Sequence, residues 1–560
     1  MRVNPITAEI IRHGLLQIPK QIEHNITRTA YSPLIYEYKD YAVGIVDPEG
    51  RLICQGDGGI PLFVANALGI AVRDGLAIHG PDGIEPGDVL FTNHAGTLGQ
   101  HLNNVAMYTP IYGGAGESQL LGFMCVIVHW VDIGGMFVGS STTSGTTSIY
   151  QEGIQFRSVK LRSRGKPVAD IYRIIETNSR FARELFGDIE AQLAGCMLGR
   201  EMFLALTEKY GLDTVLASIE VMWDRSERAA RAAIAQIPNG TYSASAFLDD
   251  DGVDIGKHID VGLEVTVADS GMTIDFCNIS PQVKGPLNSG REGGAVAAAR
   301  IAFKYLVAPN EPANEGTFRP LTVKIPDGTF LSAKSTAPMG GYSAPLPTVI
   351  DTVLRAMVES TPEYATAAHH GVFGHHSFYG THPETGETYR CSGTMHGGWG
   401  ASRGQDGPGP YKTMAHGDTL DVPVEVQEAL YPIRIEAQIL RANSGGHGEF
   451  RGGNGIEKIS HFLAPVTTMV YIDRQGCPPW GVFGGLAGAS PDILIERPGV
   501  PLERKTKGAI QLKAGDKLHI ISGGGGGYGD PRKRDPAKVK RDVRLGNITP
   551  DVAAEVYGVT

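Results

Sequence analysis

The chain predicts an α+β protein of several domains, with mixed sheets, helical segments and a glycine-rich β region toward its C-terminal end. Three observations carry this. Its 560 residues exceed one ordinary domain, and an apolar share of 42% supports two or more buried cores. Short apolar runs bounded by turn residues alternate from 40 to about 165, whereas helical periodicity dominates 188 to 237. From about Pro410 strands and glycine turns take over, with Ser444–Gly453 and Ser522–Gly529 the densest glycine stretches. The expected domains are an N-terminal α+β domain at 1–187 carrying a candidate metal site, a helical hairpin at 188–240, an α+β middle domain at 241–409, and a glycine-rich β region with C-terminal helices at 410–560.

Ile6, Ile10, Ile18, Ile22 and Ile26 share a helical face from Pro5 to about Ala30, with Pro19 as a kink or restart. Asp40 then precedes a strand, Tyr41 to Val46, and Asp47-Pro48-Glu49-Gly50 turns the chain back, with proline at its favoured second position. Gly87 to Phe91 is a short strand ending in Thr92-Asn93-His94, and Val105 to Tyr112 is another starting just after Asn104. The run Leu120 to Val128 is nearly all apolar and too short to span a bilayer, so it reads as a buried strand delivering His129 to its tip.

Leu204 to Gly211 reads as a helix end closed by glycine, with a second helix from Leu212. Leu263–Val267 and Met272–Phe276 predict a hairpin, Gly293 to Leu306 an alanine-rich helix, Leu321 to Ile325 a strand, and Thr348 to Val358 a helix. Two short helices should follow Asp535-Pro536 and Thr549-Pro550.

A net charge of -10 and a pI of about 5.9 argue against nucleic acid or an anionic membrane as the main partner, leaving small molecules and proteins. The six cysteines form no C-x-x-C pair and several lie in apolar stretches, which suits free thiols in a reducing compartment. The N-terminus lacks the apolar core of a signal peptide and no later segment reads as a membrane span, so a cytoplasmic protein is expected.

His101 in Thr97-Leu-Gly-Gln-His-Leu-Asn-Asn104, His129 in His129-Trp-Val-Asp132, and Asp40 all fall at strand boundaries, where a ligand is held rigidly. Imidazoles with one or two oxygens suit zinc, manganese or iron(II), and Asp132 could fix a ring tautomer. The competing reading is that His101 and His129 hydrogen-bond to backbone inside a core. His369-His370, His375-His376 and His382 form the densest histidine cluster, but glycine-rich flanks favour a solvated or substrate-lining loop over a metal site. Asp249-Asp-Asp-Gly252 reads as a turn, since the later ligands of a calcium loop are missing.

Gly524-x-Gly526-x-x-Gly529 fits the dinucleotide pattern, yet Asp530-Pro531 follows it instead of an apolar helix, so a glycine turn is expected. No G-x-x-x-x-G-K-[ST] sequence occurs, so ATP, if used, must be bound by a partner.

With these pieces in place, nearly the whole chain resembles the hydantoinase B/oxoprolinase family, the small-subunit type of ATP-dependent hydantoinase, oxoprolinase, caprolactamase and acetone and acetophenone carboxylase. The resemblance is carried by Arg28-Thr-Ala-Tyr-Ser-Pro33 with Glu37 and Asp40, Gly87 to Asn93, His101-Leu-Asn-Asn104, His129-x-x-Asp132-Ile-Gly-Gly and Gly187-Asp-Ile-Glu-Ala-Gln192. Ser280-Pro-Gln282, Asn314-Glu-Gly316, Gly398-Trp-Gly-Ala401, Pro423-Val-Glu425, Phe450-Arg-Gly-Gly453, Asp473-Arg474 and Gly523 to Pro531 extend it.

The resemblance implies a divalent metal (zinc, manganese or iron) on Asp40, His101, Asn104 and His129. Asn104 stands where many members have Asp, Asn103 replaces a proline and Trp130 a second histidine, a variant similar to the aromatic-ketone carboxylase branch. It further implies a hetero-oligomer in which a larger hydantoinase A-type subunit uses ATP to phosphorylate the carbonyl oxygen of a cyclic amide. This chain would then open the ring, with Asp132 and Asn93 orienting the site and Glu37 moving a proton. A ketone carboxylase subunit and a noncatalytic scaffold are the alternatives.

Overall fold

Asn4 opens the first helix: its side chain accepts the Ile6 N–H at 2.9 Å, Pro5 occupies the first turn, and the helix runs Pro5–Thr29. It continues through Pro19 without the expected break, burying Ile11, Leu15, Ile18, Ile22 and Ile26. Ile6 and Ile10, expected on the same buried face, are exposed. The computed structural model describes residues 3–80, 82–114, 116, 118–140 and 145–559.

The first sheet comprises β1 (Tyr41–Val46), β2 (Leu52–Gln55), β3 (Val89–Thr92), β4 (Asn104–Gly113), β5 (Gln119–His129), β6 (Val159–Ser163) and β7 (Lys166–Pro167). Its order is β2-β1-β5-β4-β3-β6-β7, and every pairing is antiparallel. β5 is buried along most of its length because both neighbours and a covering helix, Ala182–Tyr210, exclude water. Gln192 of that helix donates to the carbonyls of Val105 and Val126 at 2.9 and 2.8 Å, pinning helix to sheet. Leu212–Ile234 follows as the second arm of the expected hairpin.

β8 (Gly240–Leu248), β9 (Ile259–Ala268), β10 (Gly271–Ile279) and β11 (Leu321–Lys324) form a second sheet in which β11 runs parallel to β10. The alanine-rich helix begins as a π-turn at Glu292–Val296 and continues as Ala297–Val307, and Leu346–Ala356 supplies the last expected helix of this part. One apolar core joins buried residues from Ile11 to Met357 and takes in Ala415 and Tyr471 as well.

The remaining strands are β12 (His376–Thr381), β13 (Thr388–Gly393), β14 (Ile433–Leu440), β15 (Ile456–Phe462), β16 (Val466–Tyr471), β17 (Asp492–Arg497), β18 (Val500–Arg504), β19 (Lys507–Leu512) and β20 (Lys517–Ile521). They sort into β13-β12-β16-β19 and β14-β15-β20-β17-β18 around a second core. β12 and β13, expected with the middle domain, thus belong to the C-terminal sheets.

The stretch Ser522–Gly529 is an extended run where a turn was expected. The amides of Gly525, Gly526 and Gly527 donate to Gly453, Ala368 and Leu486, three separate segments, and Gly524 donates to Ala489 beside Leu486. A threefold extended helix distributes its amides in this way, and glycine allows the neighbouring backbones to close in. A Cβ on Gly525 would stand 2.0 Å from the Trp399 carbonyl oxygen.

One segment, Pro61–His79, is as long and apolar as a membrane span, contrary to the sequence expectation. It is divided into Pro61–Val64 and Ala67–His79, and the second helix buries Leu68, Ala71 and Val72 inside the protein.

Candidate metal centre

The ends of β1, β5 and β4 bring the expected ligands together. Asn104 pairs with His129 across β4 and β5, and the His129 N–H donates to the Asp40 carbonyl at 3.1 Å, one step beyond the Tyr41–Val128 pair. Residues directly opposed in antiparallel strands share a face. His101 lies in the turn entering β4, where the Asn104 N–H donates to its carbonyl at 3.2 Å. Its ring meets the His129 ring edge-on at 5.0 Å and the Tyr342 ring at 5.0 Å.

Asp40, His101 and His129 line a cavity of about 50 Å³ together with His375, Tyr38, Leu34, Phe373 and Tyr471. Three of its polar atoms, Asp40 Oδ1, His129 Nδ1 and His375 Nδ1, are fully buried without a hydrogen-bond partner. Buried polar groups are almost always satisfied, so orphans converging on one small space point to a missing bonding partner. Imidazole nitrogens and a carboxylate oxygen are donors for zinc, manganese or iron(II). Among the described residues no three His, Cys, Asp or Glu side chains yet stand at ligand separation, so the fit lies in donor type and unmet bonding capacity.

Burial pushes the Asp40 carboxyl up to about 7, against the pull of Arg390. It draws the His101 imidazole down to about 4, and it holds His129 and His375 well below the usual histidine range, with Arg390 adding to each. The rings are therefore neutral and carry a free lone pair, the form that binds a cation.

Asn104, expected as a ligand, lies against the His101 ring. Its Oδ1 lies 2.7 Å from His101 Nε2, and its Nδ2 donates to Gln100 Oε1 and the Tyr342 hydroxyl, so the amide is fully engaged in orienting His101. Asp132 does not touch the His129 ring. Its oxygens accept from Gly139, from Ser140 and from the Arg180 backbone and guanidinium, closing the loop after β5. Asn93 donates to the Leu102 and Ile154 carbonyls and accepts the Phe156 amide, bridging three segments, and it is not among the cavity's lining residues. Glu37 caps the short helix Pro33–Tyr36 and is not among the cavity's lining residues.

Two departures from the family pattern also have structural uses. Asn103 donates to the Trp130 and Gly139 carbonyls, and Trp130 is wholly buried, its ring nitrogen donating to Gln192.

Sequence reasoning missed His375 and Tyr342. His375 belongs to the histidine cluster read as a loop, in which His369, His370 and His376 are buried while His375 and His382 are partly exposed; His369 pairs with Asp351 at 3.1 Å, and His376 begins β12. Its density was the available signal, and nothing local separated His375 from its neighbours. Asp249–Gly252 is the expected turn, with Asp251 Oδ1 accepting the amides of Val253 and Asp254.

The caprolactamase subunit beta of Pseudomonas jessenii is similar at 28% identity over 100% of this chain and 96% of its own length. The solved structure of the ATP-dependent caprolactamase from Pseudomonas jessenii superposes with a TM-score of 0.92 at 27% identity, covering 100% of this chain and 97% of that one. An acetone carboxylase in its nucleotide-free structure shares the fold, with a TM-score of 0.91 at 18% identity over 100% of this chain and 80% of that one. Residues 4–531 match the family model described as hydantoinase B/oxoprolinase, and the chain belongs to that family.

Proposed function

We propose that this chain is the metal-holding, cytoplasmic subunit of an ATP-dependent cyclic amide hydrolase, acting on a carbonyl phosphorylated by a larger partner subunit. The supporting observation is the convergence of Asp40, His101, His129 and His375 on one cavity with three unsatisfied donor atoms. Similarity to a caprolactamase subunit over nearly the full length of both chains favours ring opening of an amide.

A divalent ion bound there would supply Lewis acidity toward an oxygen at the reacting carbon. The chain's own residues do the rest. Neutral His129 and His375 offer lone pairs, and Asp40 supplies negative charge once ionised. Asn104 holds the His101 ring, while Leu34, Phe373 and Tyr471 wall the cavity against bulk water. The cavity, about 50 Å³ in volume, is enclosed by these side chains, which limits the access of water to the site.

The neutral amide of Asn104 supports a second reading, a ketone carboxylase subunit, because it is the departure shared with that branch. The test is ADP release by the chain reconstituted with its larger subunit, across cyclic amides and aromatic ketones, with and without bicarbonate. Bicarbonate-independent release with ring opening is expected. Release that requires both ketone and bicarbonate transfers the chain to the carboxylases, and wild-type activity retained by His129→Ala reduces it to a scaffold.

A further inference from the structure

Glu152 is buried one peptide behind the cavity, outside every motif considered above, and its carboxylate holds the loop that forms one cavity wall. Its Oε1 accepts the backbone N–H groups of Met339 and Gly340, each at 2.8 Å, and its Oε2 is buried without a partner. Gly340 and Gly341 line the cavity. The Tyr342 ring packs against His101 at 5.0 Å, and the Tyr342 hydroxyl accepts from Asn104, whose Oδ1 lies 2.7 Å from His101 Nε2.

The Met339–Tyr342 loop therefore reaches His101 by two routes, both through Tyr342, and a single oxygen of Glu152 sets where the loop's backbone lies. Glu152 itself is tied down, since it caps the turn Ile149–Gln151, whose Ile149 N–H reaches back to the Thr336 carbonyl. Two convergent N–H groups on one oxygen fix a loop in both distance and angle. A single hydrogen bond would leave it free to pivot.

We propose that Glu152 is a positioning residue for the candidate centre, acting on His101 through the Met339–Tyr342 loop. This rests on the reading of the cavity as an ion site. The contribution of Glu152 is acceptance of two amides, so glutamine, which keeps an acceptor oxygen, should replace it and alanine should not. Groups acting one step behind a ligand commonly change metal affinity by about 10- to 100-fold.

The experiment uses the full chain and two readouts. Competitive titration with Mn²⁺ and Zn²⁺ against a chromophoric chelator measures ion affinity, and ¹⁵N shifts of labelled histidine, with His101 assigned through His101→Gln, report the ring's tautomer without any ion. Glu152→Ala is expected to weaken ion binding at least tenfold and to move the His101 ring shifts, with Glu152→Gln close to wild type. Glu152→Asp, one methylene short, covers the case in which the alanine variant does not fold and should fall between them. Unchanged His101 shifts in Glu152→Ala or Glu152→Asp overturn the inference. A wild-type chain that binds neither ion sinks the ion-site reading instead, and the ring shifts still decide the role of Glu152.

Discussion

The side-chain amide of Asn104 meets the imidazole of His101 at 2.7 Å and is itself clamped by Gln100 and Tyr342 at 3.0 and 3.1 Å. A residue expected to hold an ion thus holds the His101 ring in place. Asn104→Asp keeps the shape but adds a charge beside His101, which favours a bound cation. The expected result is ion affinity raised about tenfold or more over wild type by calorimetric titration. Equal or weaker affinity would show that the neutral amide is the better fit.

His375 reaches the cavity from the position just before β12, with Nδ1 unsatisfied and Nε2 at 3.1 Å from Ser392 Oγ. His375→Ala should lower the metal content of the purified chain as far as His129→Ala does. His382→Ala, outside the cavity, should leave it at the wild-type level. Elemental analysis distinguishes the two, and full occupancy in His375→Ala removes that residue from the centre.

Asp132 receives the Arg180 guanidinium at 2.7 Å while wholly buried itself. Asp132→Ala leaves Arg180 and the amide of Gly139 without their acceptor, at a cost of about 2–3 kcal/mol given the partial exposure of Arg180. Urea denaturation should show that loss, with ion affinity within a few-fold of wild type. A large loss of ion affinity at unchanged stability would restore Asp132 to the site.

Stability should fall on both sides of neutrality for opposite reasons. His370 and His376 are drawn down to about 3 by burial, while in the unfolded chain each accepts a proton near pH 6.5. Between those values the unfolded state binds more protons, so their contribution is complete above about pH 6.5 and is lost as pH falls. Burial pushes the Glu23 carboxyl up to about 7, so its contribution is present at low pH and is lost as pH rises through 7. Denaturation midpoints should drop from pH 7 to pH 5, less steeply in His370→Gln. Glu23→Gln should gain about 1–2 kcal/mol over wild type at pH 8 and nothing at pH 5.

Gly525→Ala forces a methyl to within 2.0 Å of the Trp399 carbonyl, in a bundle where backbone presses on backbone from several sides. A loss above about 4 kcal/mol or an insoluble chain is expected. Gly499→Ala, at φ 73° in open space, should cost only about 1 kcal/mol. Soluble yield and chemical denaturation measure both.

The elements around the site were legible because their signals are local. Apolar runs that start just after Asp40 and Asn104 or end at His129 became strands β1, β4 and β5 within a residue or two, and proline and glycine marked the helix ends. Pro19 misled because packing of Ile18 and Ile22 on the core outweighs one missing hydrogen bond. The glycine run misled because its residues are required by close neighbours, which no local pattern reveals.

The sequence by itself determined the family, through motifs spread from end to end, and placed Asp40, His101 and His129 at strand boundaries. Only the tertiary structure decided that β5 lies between β1 and β4, so that these residues form one row, and that His375 arrives from the segment just before β12, far away in the chain. It also committed Asn104, Asp132 and Asn93 to holding backbone and ring in place. The physical reason is that periodicity records which face of an element is buried, whereas the partners of a polar side chain are chosen by folded neighbours far away in the chain.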